Sequence, residues 1–566
     1  MASRFWVGNG GTWDSSTTTN WSTSSGGSGG ASVPGASDTV TIDANSGTGT
    51  ITVATDFNIT SLTCGAMGMT LDFSVNNNSP TMQTFNCSGT GTRTLNIGSG
   101  TWTITGNATN IWNIATTTGL TITGSPTINC TYSGSTGTRS FLWGSTSGGS
   151  QTLGGTLNFT SGTDTVILAT GTGMLLTTLT WTGFAGTWSD DTSATISLLG
   201  NLVIGTSTVV ATSTRAINFV ATSGTKTITT NGVAINRPIT INNTAGATTQ
   251  LLDNLSMNGA SAPTLTLTQG TFNANNFNVT CASFSSANTN TRTLTMGSGT
   301  WTLTGTGVVW NIATTTNLTL NSNSSTIKFT DSSSSLKSFN TGETAGTGLT
   351  YNNLWLTGGG TGVIQIGPAS GAARTNTFNN IRVDAPLTVQ FKAGSTTIVS
   401  SPTWSGTSGN LNTFQSTTPG TPWNIKVTSG TVNLNYISLQ DSEAQGNIPF
   451  YAGDDSTNVS GNTNWLFESA PIASGLNAGH DANGRPTIIC ASETDGVTIV
   501  PIFANPTSHG VLNDDNTTGS DNGNNGGNAM LDQNGVNVWL AESSDGSGSL
   551  IEVYGNSNNQ ILINSN

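Results

Sequence analysis

Two histidines, His480 and His509, are all the imidazole chemistry this 566-residue chain offers, and both lie in Gly- and Asn-rich surroundings near its end. Five cysteines, Cys64, Cys87, Cys130, Cys281 and Cys490, are odd in number and lack C-x-x-C spacing. Neither a zinc site nor a disulfide framework is expected of them, and small buried side chains are the preferred reading. Cleavage of a glycosidic bond needs two carboxylates across a groove. The candidates are Asp190 and Asp191, beside Trp181 and Trp188, with Asp164 or Asp253 further off. Neighbouring residues on a strand point to opposite faces, so Asp190 and Asp191 make a poor pair, and a solvated loop is preferred for them. The run Asp521-Asn522-Gly523-Asn524-Asn525-Gly526, with Asp532 downstream, has part of a calcium-loop spacing. Gly523 lacks the side-chain ligand such a loop needs at its third position, and Asp532 stands where Glu is usual. No H-E-x-x-H, nucleophile elbow or phosphate loop is present. The expectation is no catalytic residue, no metal ligand and no cofactor.

The elements that would have to position any such group are strands. Charged residues make up 7 % of the chain, with 72 Gly but 15 Pro, against roughly 25 % charge in an ordinary soluble protein. Thr, Val, Ile and aromatics fill the apolar stretches and suit a pleated surface; no convincing helical period of apolar residues is present. A disordered low-complexity chain would lack the 15 Trp and 19 Phe found here. Residues 1–440 hold 12 acids and 13 bases, and residues 441–566 hold 15 acids and the single base Arg485, so the net of −13 sits in the tail. With no basic stripe, nucleic-acid binding is not expected. No charged and apolar leader follows Met1, and no apolar run is long enough to span a bilayer. Synthesis and folding in a cytoplasm are expected.

A regular beat runs along the chain. From Leu95 the apolar centres are Leu95–Ile97, Trp102–Ile104, Ile111–Ile114, Leu120–Ile122 and Ile128–Cys130, separated by Gly, Ser, Thr and Asn clusters. Such spacing fits a sandwich, a barrel or a repeating β architecture. Internal repetition decides between them. Residues 92–122, TRTLNIGSGTWTITGNATNIWNIATTTGLTI, return at 291–320 as TRTLTMGSGTWTLTGTGVVWNIATTTNLTL, so that Arg93 matches Arg292, Trp102 matches Trp301 and Trp112 matches Trp310. A solenoid lengthens by in-line duplication because each coil touches only its neighbours. Three strands of about eight residues make a coil of roughly 24, which predicts a parallel β-helix of roughly 19 coils at the usual rung spacing. Cys64 and Cys87 would stack on successive coils, and Thr and Asn would form hydrogen-bonded ladders.

Solenoid ends expose strand edges and need caps. Trp6, Trp13 and Trp21 lie together before a Gly/Ser-rich loop; a cap over the first coil is preferred to a sugar-stacking platform. The expected organisation is a cap and first coils over 1–60, the duplicated solenoid over 61–465, a linker over 466–486, and an acidic β module over 487–566. In that module IICASETDGVTIVPIF and VWLAESSDGSGSLIEVYG share a strand followed by Asp495-Gly496 or Asp545-Gly546, a hairpin signal in two related units.

The opening FWVGNGGTWDSSTTTNWSTSSGGSGGASVPGASDTVTID, the run TNTFNNIRVDAPLTVQFKAGSTTIVSS and the C-terminal IICASETDGVTIVPIFANPTSHGVLND resemble segments of tailed-phage virion structural proteins. The first two are also similar to bacterial β-helix surface proteins. The resemblance implies a non-enzymatic fibre, spike or decoration protein on the virion surface, partnered with capsid or tail proteins and homo-oligomeric, with a trimer favoured. It also implies an adhesive role toward a host surface glycan. The rivals are a polysaccharide-cleaving tailspike-like enzyme and a bacterial surface adhesin.

Overall fold

The protein is described from a computed structural model. It describes residues 1–470 except 132–133, 135–136, 144–151, 170–173, 191–194, 260–261, 359 and 385, and beyond them the backbone of seven strands between Asn477 and Ser565. The chain divides into two compact units, Met1–Ser469 and Ala470–Asn566.

The first unit is a parallel β-solenoid of about 15 turns, with its described strands joined in ladders of 31, 9, 5 and 2. The single helical turn among the described residues is Ala44–Ser46, capped by Asp43. Alternation sets the fold. In Thr101–Ile104 the Trp and Ile are buried and the two Thr are not, and the same pattern recurs in Thr39–Ile42, Thr127–Cys130 and Thr388–Phe391. Inward residues stack turn upon turn: Val40 pairs with Leu62, Leu62 with Phe85, Phe85 with Trp112 and Trp112 with Phe141. The turns are not uniform, and there are fewer than a constant 24-residue coil would give. The first advances 36 residues, from Phe5 to Thr41, and later ones advance 22, 23, 27 and 29. At about 4.8 Å per rung the column rises about 70 Å.

Outward-facing amides and hydroxyls form the expected ladders. Asn158 donates to Asn129 at 3.2 Å and Gln365 to Gln390 at 2.8 Å, with Gln415 next in register. Cys64 and Cys87 stand one rung apart, and the neighbouring Cys87 thiol together with burial raises the Cys64 pKa well above its ordinary value.

The sequence duplication is a duplication of packing. Phe85, Trp102, Trp112 and Phe141 form a buried aromatic cluster that Phe284, Trp301, Trp310 and Phe339 repeat: Phe85–Trp102 and Phe284–Trp301 are both 5.5 Å apart and edge-on, and Trp112–Phe141 and Trp310–Phe339 are both stacked. Arg93 and Arg292, each 1 % exposed, repeat as well. The Arg93 guanidinium donates to the carbonyls of Cys87, Gly91, Thr116 and Thr118. Arg292 donates to those of Ser286, Asn290, Thr314 and Thr316. A planar fork with five donors is the side chain able to satisfy so many carbonyls where two coils bend.

At the start of the column, Trp21–Ser22 runs antiparallel along the strand Ser3–Trp6, whose other edge pairs in parallel with Thr39–Ile42. Trp6, Trp13 and Trp21 are buried against one another, with Trp13 stacked on Phe57 at 4.3 Å. They close the first coil, and their rings are not open to a sugar. At the other end of the unit, Leu466 bridges to Tyr451 and the Trp465 indole donates to Ser442.

The second unit is antiparallel. Pro486–Ala491 pairs with Ile499–Phe503, and Asn537–Glu542 with Leu550–Gly555. These are the two hairpins expected around Asp495-Gly496 and Asp545-Gly546, whose turns lie outside the described residues.

Candidate functional site

The carboxylates singled out for catalysis are built into the scaffold. Asp190 ends the strand Thr187–Asp190, in register with core residue Leu168. It lies 3.1 Å from the Arg237 guanidinium, which also sits 4.6 Å over Trp188, and accepts from Ser213 at 2.8 Å. It is not in the solvated loop expected of it, because its position on the strand points inward and a cation meets it there. Asp164 pairs with Arg139 at 3.1 Å, its side chain fully buried. Asp253 accepts from the backbone of Thr230 and Asn231. Trp181 and Trp188 are core residues, stacked 5.2 Å apart. Asp191, His509 and the stretch 521–526 with Asp532 lie outside the described residues, as do the side chains of His480 and Cys490. Among the described residues no three His, Cys, Asp or Glu side chains gather as metal ligands.

A different constellation stands on the outer face of the second ladder. The strands Thr326–Phe329, Thr350–Leu356, Thr375–Val383 and Thr396–Thr403 lie side by side in parallel. Alternation buries Ile327, Leu354 and Ile381 and turns Lys328, Trp355 and Arg382 outward on successive rungs. Lys328 Nζ lies 3.7 Å from the Trp355 ring centre and Arg382 Cζ lies 4.4 Å from it, so the indole is held between two cations. Asp384 ties the group together, accepting from Trp355 Nε1 and from Arg382 Nε, each at 2.8 Å. Burial acts to raise the Asp384 pKa. Hydrogen bonds from Trp355, Arg382 and Thr357, with the guanidinium charge, outweigh it and hold the carboxyl below its ordinary value.

Two rows of amides and hydroxyls flank this group. Asn353 donates to Thr326 at 3.3 Å and Asn380 to Thr403 at 3.5 Å. A groove of about 510 Å³ opens beside Arg382 and Asp384, walled by Asn380, Thr403, Ser405 and Thr407. A smaller hollow of about 140 Å³ continues across Asn353 and Trp355, with Asn380 and Arg382 lining both. The arrangement offers hydrogen bonds to hydroxyl groups and a guanidinium to an anion. Among the described residues that line it, the one carboxylate is Asp384.

Nothing in the sequence reading singled these residues out. One signal was there: Lys328, Trp355 and Arg382 are 27 residues apart in each step, as are Thr326, Asn353 and Asn380. That equal spacing marks two outward columns once a local coil of 27 residues is known.

No protein-family model, no curated protein and no solved structure matches this chain.

Proposed function

We propose that the chain is a non-enzymatic structural protein of a tailed-phage virion, a fibre, spike or decoration protein that projects from the capsid or tail and presents an adhesive surface. The supporting observation is the capped parallel solenoid itself. A column whose backbone groups bond rung to rung, with few charges and a closed first coil, is a stiff and protease-resistant spacer. The sequence resemblance supplies the particle. In this reading one end docks on the capsid or tail, the other faces solvent, and the protein is a trimer. The carboxylate arrangement supports a non-enzymatic role: Asp190 and Asp164 are ion-paired, and Asp253 caps a turn.

The reading is tested on particles. Antibodies against the purified chain should decorate intact virions in electron micrographs, and the chain should be found by mass spectrometry in gradient-purified particles. Its absence from particles of a phage that encodes it overturns the assignment. Incubating the chain with host polysaccharide separates it from the enzymatic rival, for which new reducing ends or unsaturated sugars would appear.

A further inference from the structure

We infer that the groove around Trp355 and Arg382 is a binding site for an acidic oligosaccharide, one that carries carboxylate groups among its hydroxyls. The inference deepens the adhesive part of the proposed function but stands on the groove alone, whichever particle or surface carries the column.

The anion specificity comes from Arg382. Asp384 holds its Nε and the indole of Trp355 lies against its plane, so the guanidinium is fixed before any ligand arrives. Its two terminal amino groups have no partner among the described residues, and the side chain lines the groove; these are the donors with which a guanidinium grips a carboxylate in two parallel hydrogen bonds. Lys328 adds a second cation whose contact among the described residues is the ring of Trp355. Against these two charges stands Asp384, which leaves the cluster with a net positive charge on a body that is otherwise close to neutral.

The oligosaccharide class comes from the walls. Asn353 and Asn380 stand on successive rungs, about 4.8 Å apart, and Thr403, Ser405 and Thr407 extend the row of hydroxyls along the following coil, an arrangement that suits a polymer of hydroxyl-bearing units. An extended peptide would need an unpaired strand edge, yet here the strands are paired on both sides. A nucleic acid draws its affinity from many phosphate contacts, and residues 1–440 have a net charge of +1. The indole itself is closed to sugar stacking because cations cover it, so charge and hydrogen bonding carry recognition.

The test uses the full chain with oligogalacturonate, a neutral galactan oligomer of equal length, and a single-stranded oligothymidylate, followed by titration calorimetry at low and physiological salt. Oligogalacturonate should bind, and Arg382→Gln should weaken it about tenfold or more, as loss of a charge-assisted bidentate pair does. Lys328→Gln should weaken it less and reduce the salt dependence. Lys226→Gln, which changes an equal charge on a different strand, should leave binding unchanged. Thermal unfolding of each variant controls for folding. Absence of oligogalacturonate binding, equal binding by folded Arg382→Gln, or tighter binding of the neutral oligomer or of oligothymidylate overturns the inference. None of these outcomes bears on whether the chain is found in virions, so the two readings fail separately.

Discussion

At the residue scale, the two copies of the duplicated block form a controlled comparison. Trp112 and Trp310 occupy equivalent places, but Trp310 donates to the Tyr351 hydroxyl at 3.3 Å, whereas the Trp112 indole N–H is buried with no partner among the described residues. Trp310→Phe is therefore expected to destabilise the protein by about 1 kcal/mol more than Trp112→Phe, the net worth of one hydrogen bond, as read from urea midpoints. Arg292→Lys should cost about 3 kcal/mol, because an ammonium cannot reach four carbonyls and leaves buried acceptors unpaired. Glu343 predicts a pH dependence. Burial raises its pKa above the ordinary 4.5, against smaller opposing effects from backbone hydrogen bonds and the charges of Arg374 and Lys392. A raised folded pKa means that this group's contribution is fully present below about 4.5 and is lost as pH rises through the folded value. Glu343→Gln should accordingly raise the melting temperature at pH 7 and flatten its decline between pH 4.5 and neutrality. An unchanged profile would show that the carboxyl is not protonated on folding.

At the scale of the element, the strand Thr152–Phe159 shows how a coil turns a corner. Its register to the next strand slips between Leu153 and Thr156, a bulge that lets one strand serve two faces. Gly155 sits in that slip, where a Cβ would stand 1.7 Å from the Pro126 carbonyl oxygen of the coil below. The neighbour is backbone and cannot give way. Gly155→Ala should destabilise by roughly 1–3 kcal/mol, the range for overpacking a filled site. Gly224→Ala, at a turn with positive φ and open space, should cost about 1 kcal/mol from backbone strain alone. Hydrogen exchange would show the first effect spreading to adjacent rungs and the second confined to its turn.

At the scale of the whole molecule, a solenoid is close to one-dimensional, and its stability is a sum of turns and the interfaces between them. Deleting residues 94–292 joins Arg93 to Thr293 at equivalent points of the two copies. The shortened chain should remain folded, with a cooperative thermal transition and a β-type far-ultraviolet spectrum. A chain ending at Ser469 keeps Trp465 and the closing turn and should be soluble. One ending near residue 400 exposes unpaired rungs and should aggregate, which light scattering would report. The second unit accounts for most of the acidic excess, since 10 of the 27 acids and the single base Arg485 lie beyond residue 470, a net of −9 out of −13. Its removal should lower solubility near neutral pH.

The parallel solenoid, its duplicated block and the hairpins near the C-terminus were legible in the sequence because side-chain alternation and self-similarity are local and periodic. Arg93 and Arg292 could be aligned by eye, and the three N-terminal Trp residues read as a cap. The fate of individual charges was not legible. Asp190 meets Arg237, 47 residues on, and Trp355 meets Lys328 and Arg382, 27 residues to either side, because the length of each local coil sets which residues stand above one another. Coil length depends on where each loop turns, and a shift of one residue sends a side chain to the opposite face of its strand. The sequence therefore determined what kind of column this chain winds into. The register between coils, a tertiary property, decided which polar residues are buried as ion pairs and which stand together on its surface.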